Sequence, residues 1–154
     1  MKISTKGRYA LRIVIDLAKN SQEHCVPLKD ISKRQHITIK YMEQIMPLLT
    51  KAGYVKSYRG NNGGYKLNKP AEELSAGMIL RAAEGSLSPN ACLDDEINTC
   101  PRCGLCDTIG FWEGLKAVVN EYTDSVSIAD LVNEEKRKDK IMETFKNKQE
   151  ENDE

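Results

Sequence analysis

The hydrophobic period of this chain changes between residues 54 and 67, and that change restricts the folds it can adopt. Two alternating runs, 55–58 and 65–67, flank a segment that reads RGNNGG. Asn-Gly between such runs is a strong hairpin signal, because both residues tolerate positive φ. The sequence therefore predicts one β-hairpin in a chain whose other apolar residues follow a helical period.

Three helices are predicted before the hairpin. Apolar spacing and capping residues give their extents: 5–19, Pro27 to about Gln35, and from the N-cap Thr38 to Gly53. Pro47 lies inside the third helix and lacks the N–H that would bond to the carbonyl of Glu43. A kink or a local break is therefore expected there.

Two helices separated by a long loop are predicted after the hairpin. Ser75 caps a helix over 76–84, and residues 85–108 form a loop rich in Pro, Gly, Asn and Asp. A helix over about 109–123 follows, and one face of it carries an apolar stripe: Ile109, Trp112, Leu115, Val119 and Tyr122.

The end of the chain is predicted to change from helix to disorder. Ser127 and Asp130 resemble a capping arrangement for a short helix that runs through Val132. Residues 134–154 are almost all charged or polar, so a frayed or disordered tail is expected there.

Opposite charges divide the chain. Its net charge is zero, yet residues 1–70 hold 14 Lys and Arg against 4 Asp and Glu, a net of +10. Residues 71–154 hold 9 against 19, a net of −10. A basic half indicates a polyanionic partner, and a salt-bridged interface between the halves is the alternative. Three helices followed by a hairpin are the order of a winged helix-turn-helix, so duplex DNA is the favoured partner.

The third helix and the hairpin tip hold the candidate DNA-binding residues. If Met42, Ile45 and Leu49 face inward, the opposite side of that helix can enter the major groove. Gln44 suits an adenine edge, and Glu43 accepts from cytosine or rejects other bases. A narrow tip lets a guanidinium enter the minor groove. The full candidate set is Thr38, Lys40, Tyr41, Glu43, Gln44, Arg59 and Asn61.

Four of the five cysteines fall within fifteen residues: Cys92, Cys100, Cys103 and Cys106. Such a cluster in a reducing compartment is typical of a metal centre before a disulfide. The spacing suits an iron–sulfur cluster and equally a tetrahedral zinc ion, and it leaves both open. Cys25 lies apart and is interpreted as a loop thiol or small buried hydrophobe, with a redox role as the alternative.

Two functional classes are disfavoured. The chain has no run of ten apolar residues and its N-terminus is polar, so a soluble cytoplasmic protein with no membrane segment is expected. His24 and His36 have no catalytic partners nearby in sequence, and RGNNGG lacks the Gly-Lys-Ser/Thr ending of a phosphate loop. The sequence therefore predicts no enzyme.

Four motifs lie in order along the basic half: MKISTKGRYA at 1–10, ISKRQ at 31–35, YMEQ at 41–44 and RGNNGGY at 59–65. They resemble the Rrf2 superfamily of bacterial winged-helix transcription regulators, and most of all its iron–sulfur cluster regulator branch, IscR. The resemblance covers roughly residues 1–133. It implies a homodimer that pairs through the 109–123 helix and binds palindromic operator DNA. It also implies a cluster that alters DNA affinity, with [2Fe–2S] favoured and [4Fe–4S] as the alternative.

The resemblance extends to the ligands of the cluster. Cys92, Cys100 and Cys106 stand where that branch has its three thiolates. Ile109 stands where the branch often has a histidine, so the fourth ligand is open. Cys103 is favoured for it over Asp107 or an external thiol.

The expected fold is mostly α with a small β-hairpin wing, a winged helix-turn-helix plus a long dimerisation helix. Its parts are a DNA-binding domain (1–84), a cysteine-rich cluster-binding loop (85–108), a dimerisation helix with a short C-terminal helix (109–133) and a charged tail (134–154). The expected function is a repressor or dual regulator under cluster control. A winged-helix regulator with structural zinc or redox-active thiols is the alternative. An electron-transfer or cluster-carrier protein is disfavoured, because it needs neither a basic half nor a wing.

Overall fold

The computed structural model describes residues 1–21 and 23–133. The tail predicted over 134–154 lies outside these residues. The order of elements confirms a mostly helical chain with one hairpin, and their bounds are α1 Thr5–Asn20, α2 Leu28–Gln35, α3 Ile39–Lys51, β1 Val55–Tyr58, β2 Gly64–Leu67, α4 Ala76–Glu84, α5 Ile109–Ser125 and α6 Ile128–Val132.

Helix α1 lies at the centre of the molecule and packs against α2, α3, α4 and α6. Four apolar side chains of α1, which recur at three- and four-residue spacing, are completely buried: Ala10, Ile13, Val14 and Leu17. Residues three and four apart share one helix face, so this spacing directs a continuous apolar surface toward the core. The positions of α2, α3, α4 and α6 are therefore all set relative to α1.

Helix α3 runs without a break through Pro47, so the predicted local break is wrong. Met46 is buried and Pro47 is exposed. The carbonyl of Glu43, which loses its helical partner, therefore lies on the side that water reaches. Burial of the opposite face, with Met42 and Ile45 completely inaccessible, holds the helix together across the missing bond.

The wing is an antiparallel pair in which Val55 lies opposite Leu67 and Tyr58 lies opposite Gly64. This register leaves a five-residue connection, closed by the N–H of Gly63 donating to the carbonyl of Gly60 at 3.0 Å. Gly60 takes the positive φ, at 110°, and neither asparagine does. The hairpin is confirmed, but the Asn-Gly dipeptide does not form the tight two-residue turn that its sequence favours.

An isolated β-bridge joins the wing to the residue that precedes Pro27 and α2. Val26 and Tyr65 exchange two backbone hydrogen bonds of 2.9 Å. Beside them, a Cβ on Gly64 would lie 2.6 Å from the carbonyl carbon of Val26, and its φ is +152°. Only glycine fits this contact, because a side chain would separate the wing from the residues that precede α2.

Helices α4 and α6 pack against α1, and α5 packs against α4. Ser75 and Ser127 cap α4 and α6, and the two serines also pair as an isolated antiparallel bridge. The capping box predicted for Ser127 and Asp130 is confirmed, with hydrogen bonds of 2.9 and 3.0 Å. No residue of α5 is completely buried, so this helix uses only part of its surface within the chain.

A buried carboxylate fixes the C-terminal end of α2 to α1. Asp16 is 2% exposed. It accepts two hydrogen bonds from the Arg34 guanidinium at 2.7 and 2.9 Å and one from the Gln35 amide at 2.9 Å. Charge-assisted, two-pronged bonds of this kind have well-defined geometry. They therefore set the orientation of α2 on α1.

The pKa of Asp16 lies below its ordinary value although the residue is buried. Burial alone raises this pKa, but the hydrogen bonds from Arg34, Gln35 and Asn20 and the charge of Arg34 together outweigh it. A carboxylate with a lower pKa in the folded state stabilises the fold above its unfolded pKa, which is about 3.9. That stabilisation is lost as the pH falls through the lowered folded value.

Replacing Arg34 by Leu should lower the free energy of unfolding by about 1–2 kcal/mol at pH 7, because Asp16 loses its charged donor. This estimate lies in the lower part of the range of about 1–3 kcal/mol for removing a hydrogen-bond partner of a buried polar group, because the Arg34 side chain is 40% exposed. Denaturant unfolding measures the change, and the exposed neighbour Lys33, replaced by Leu, is the control for charge and helix propensity. The difference between Arg34→Leu and wild type should shrink as Asp16 becomes protonated. Equal stability of both variants at pH 7 would contradict the role of the pair.

Candidate nucleic-acid interface and cysteine loop

The turn between α2 and α3 is short because a single residue reverses the chain. His36 follows the last residue of α2 and has φ 53° and ψ 42°, the left-handed helical conformation. Ile37 is then buried, and the Thr38 hydroxyl caps α3 by accepting from the N–H of Tyr41 at 3.2 Å. This arrangement presents the first turns of α3 at the surface next to a rigidly held α2, as a helix-turn-helix requires.

The predicted reading face of α3 is exposed, with one exception. Thr38, Lys40, Glu43 and Gln44 are all exposed. Tyr41 is half-buried, because its ring packs edge-on against the Tyr9 ring with centroids 5.2 Å apart. Its expected exposure is therefore corrected, and only part of this side chain is free to meet a partner.

The tip of the wing carries Arg59 and Asn61, both exposed as expected. A neighbouring pair that the sequence analysis did not identify lies on β1, where the Lys56 ammonium is 5.5 Å from the centroid of the Tyr58 ring. The wing therefore presents Lys56 on its strand and Arg59 on its narrow turn, and a narrow cationic tip fits a groove of duplex DNA.

The four clustered cysteines lie on the 85–108 segment, which links α4 to α5. Cys92 lies in a single 3-10 turn, Ala91–Leu93, and Cys103 begins a second, Cys103–Leu105. Cys103 is exposed, whereas Cys92, Cys100 and Cys106 are half-buried. Backbone bonds from the N–H of Cys103 to the carbonyl of Cys100 (3.1 Å) and from Cys106 to Cys103 (3.5 Å) curl this run into consecutive turns.

One of these thiols is activated. The Cys106 sulfur lies 3.5 Å from the Thr108 hydroxyl. Hydrogen bonding by the Thr108 hydroxyl and backbone lowers the pKa of Cys106, against the opposing effects of burial and of the Asp107 charge. Thiolate is the form of cysteine that binds metals and reacts with oxidants.

The donor set of the loop suits a thiolate-bound metal centre. Four sulfur donors on one segment are the ligand chemistry of iron–sulfur clusters and of structural zinc. Across the described ranges 1–21 and 23–133, however, no three His, Cys, Asp or Glu side chains converge on a position where they could hold a metal ion. The loop therefore supplies the right donors and must rearrange to bring them together.

Two contacts that support the DNA-binding helices were not found by sequence reasoning. Arg12 stacks over the Tyr9 ring at 5.3 Å and donates to the side chain of Gln35 at 3.3 Å and also to its backbone carbonyl. Gln35 in turn holds Asp16. Tyr9 packs on Tyr41, so this chain of contacts joins α1, α2 and α3.

The second missed contact joins α4 to the start of α1. The Glu84 carboxylate oxygen Oε1 accepts from the Ser4 N–H at 3.1 Å, the Ser4 hydroxyl at 2.5 Å and the Gly7 N–H at 3.0 Å. The Ser4 cap of α1 is a local signal in the sequence. The residue eighty positions away that completes it has no local signal.

No helix within the described part of the chain is both long and apolar enough to cross a lipid bilayer.

Comparison with known proteins assigns a family to this arrangement. The Rrf2 family model, described as an iron-dependent transcriptional regulator, matches residues 3–134. A protein of Haemophilus influenzae named as an HTH-type transcriptional regulator is 40% identical over 147 residues, which are 96% of this chain and 97% of that protein. The HTH-type transcriptional regulator IscR of Pectobacterium atrosepticum is 38% identical over 133 residues, 86% of this chain and 80% of its own.

Solved structures agree with the fold. T. potens IscR superimposes with a TM-score of 0.69 at 36% identity, covering 87% of this chain and 88% of its own. CymR, the global cysteine regulator of B. subtilis, gives a TM-score of 0.70 at 36% identity, covering 86% of this chain and 97% of its own. T. potens IscR and CymR, the second of which is named as a cysteine regulator, therefore share this architecture.

Replacing His36 by Gly should raise the free energy of unfolding by about 0.5–1 kcal/mol, because glycine adopts the left-handed conformation without the Cβ conflict. Thermal or urea unfolding measures this. His24→Gly is the matched control, since His24 has no positive φ, and it should be neutral or destabilising. A His36→Gly protein less stable than wild type would mean that the imidazole makes a stabilising contact.

Proposed function

This chain belongs to the Rrf2 family of transcriptional regulators and is not an enzyme, and we propose that it is a repressor or dual regulator whose operator affinity is controlled by an iron–sulfur cluster on the 85–108 loop. The observation that carries this proposal is the position of the thiols. Four cysteines lie on the one segment that joins the DNA-binding half to α5. Binding or loss of a cluster on this loop would therefore alter the connection between the DNA-binding helices and α5.

Operator recognition is assigned to α3 and the wing. Glu43 and Gln44 are exposed on the face of α3 opposite its buried stripe, so they can meet base edges in the major groove. Thr38 and Lys40, at the first turn, suit phosphates. Arg59, next to Asn61 at the tip, is placed to enter the minor groove. The net charge of +10 over residues 1–70 supports a long-range attraction to DNA.

We assign homodimerisation to α5. Beside its predicted apolar stripe, Phe111 and Val118 are 65% and 47% exposed. The stripe itself is half-buried within the chain: Ile109, Trp112, Leu115, Val119 and Tyr122. An apolar helix surface of this kind is typical of an interface between subunits. A two-fold dimer presents two copies of α3, which is why a palindromic operator is the expected partner.

The residues assigned to hold the cluster are Cys92, Cys100 and Cys106, with Cys103 favoured as the fourth donor. When bound, an iron–sulfur cluster would supply a group whose charge and integrity respond to redox conditions. The protein contributes the thiolates, of which Cys106 is already favoured by Thr108. It also contributes a loop with few buried side chains, which can order around a ligand. A [2Fe–2S] cluster is favoured and [4Fe–4S] is the alternative.

A second candidate function is a winged-helix regulator with structural zinc or redox-active thiols. The exposure of Cys103 and the lowered pKa of the half-buried Cys106 favour it, because accessibility and thiolate character each promote reaction of a cysteine with oxidants. The likeness to CymR, named as a cysteine regulator, also supports it. Metal content separates this function from the first.

Replacing Arg59 by Ala should weaken operator binding by about 1–3 kcal/mol, which is the expected loss for a groove contact. Folding should be unchanged, because Arg59 is exposed at a turn. Fluorescence anisotropy with operator duplex at fixed salt measures the dissociation constant. Arg59→Lys is the matched control, since it keeps the charge and removes the planar fork. An unchanged dissociation constant for Arg59→Ala would place the wing away from DNA.

Anaerobic purification followed by metal analysis should give a brown protein with about two or four irons per chain and visible absorption. A colourless protein with one zinc per chain, or with no metal, would favour the second candidate function. Cys92→Ala, Cys100→Ala and Cys106→Ala should each lose the iron, because each removes a soft anionic donor.

Cys103→Ala identifies the fourth ligand in the same experiment. Iron loss comparable to that of Cys106→Ala is the expected result. Full retention of iron and spectrum would instead point to Asp107 or a non-protein ligand. Cys25→Ala is the control, since Cys25 lies outside the loop, next to Val26, which bridges to Tyr65.

A further inference from the structure

Glu84 is an acidic residue at an unfavourable position on its own helix. It is the last residue of α4, where the partial negative charge of a helix C-terminus repels a carboxylate. The same carboxylate caps the N-terminus of α1, whose partial positive charge attracts it. A Cβ on Gly7 would lie 2.3 Å from Glu84 Oε1, so the absence of a side chain at Gly7 makes this contact accessible.

The other neighbour of Glu84 is the cysteine loop. Gly85, with φ +88°, turns the chain immediately into the 85–108 segment. The first part of this segment is internally fastened: the Ser88 hydroxyl donates to the carbonyl of Leu93 at 2.7 Å, and Leu87 and Leu93 are buried. A displacement at Cys92, next to Leu93, therefore reaches Glu84 through a short and well-bonded piece of chain.

The far side of the contact leads to the DNA-binding helices. Helix α1 begins at the Glu84 cap and, along its length, holds α3 through Tyr9 and α2 through Arg12 and Asp16. A shift or loosening of the first turn of α1 therefore changes the support of both helices. Among the contacts of the described residues, the Glu84 cap is the polar contact that joins the base of the loop to α1.

We propose that Glu84 is a positioning residue that transmits the state of the cysteine loop to the DNA-binding helices by holding or releasing the N-terminus of α1. This inference rests on the proposed function, since it concerns how the loop controls operator affinity. It assigns no direction to the control. It states that the coupling passes through the carboxylate and the amides of Ser4 and Gly7.

The test measures coupling rather than affinity alone. Operator dissociation constants are determined for wild type and Glu84→Gln, each with and without anaerobically reconstituted cluster, and iron content and thermal stability are recorded in parallel. Coupling between two sites on a protein changes affinity by about 5–150-fold. In wild type the ratio of the two constants should fall in that range, and in Glu84→Gln it should fall below about twofold with the iron retained. Glu73→Gln, an exposed acid in the segment before α4, is the control and should keep the wild-type ratio.

A second variant and a second perturbation keep the test decisive. Gly7→Ala reaches the same contact from α1 without changing charge, and it replaces Glu84→Gln if that variant is not folded. If wild type takes up no cluster, the proposed function fails, and N-ethylmaleimide modification of the loop thiols in a Cys25→Ser background supplies the change of loop state instead. Loss of the affinity ratio in every cap variant that folds supports the proposal. A wild-type ratio in either folded variant overturns it, as does a wild-type protein whose operator affinity responds to neither perturbation.

Discussion

A buried carboxylate on the central helix determines how the DNA-binding half is assembled. Helix α2 has eight residues and one completely buried side chain, Ile31, so it is too short to hold its orientation by its own stability. Its last turn supplies Arg34 and Gln35, which both bond to Asp16. The charge of Asp16 is stable in the interior only while these partners are present. The position of α2, and with it the start of α3, depends on this one group.

The cysteine loop is built in the opposite way. Leu87 and Leu93 are its only buried side chains, and short backbone turns take the place of a core. Rearranging such a segment breaks few apolar contacts, so gathering thiols around a ligand would leave the helices intact. The molecule thus combines a rigid reading surface with an adaptable segment, and the two are connected through α4 and α1.

The parts of the fold that the sequence predicts are those with local causes. Apolar spacing located each α-helix of the described residues, and the Ser and Thr caps of α3, α4 and α6 indicated where those three start. The helix does not break at Pro47, because the buried face of α3 opposite the proline holds it together, and that burial is a tertiary effect. The alternative of a kink there stays a prediction. The contacts of Asp16 with Arg34 and of Glu84 with Ser4 join residues that are distant in sequence and leave no periodic signal.

The same distinction between local causes and distant contacts applies to the candidate site. Helical period correctly placed Glu43 and Gln44 on the exposed face of α3, but it could not show that Tyr9 lies against Tyr41. Cysteine spacing identifies a set of sulfur donors, yet spacing does not determine the loop conformation, and the described thiols are not gathered.

The way the wing is attached has one further consequence. The turn end of β2 is held by the close contact of Gly64 with Val26, whereas the side chains of Arg59 and Asn61, just beyond it, are exposed. A substitution at either position can therefore change the exposed surface of the wing without disturbing how β2 is attached.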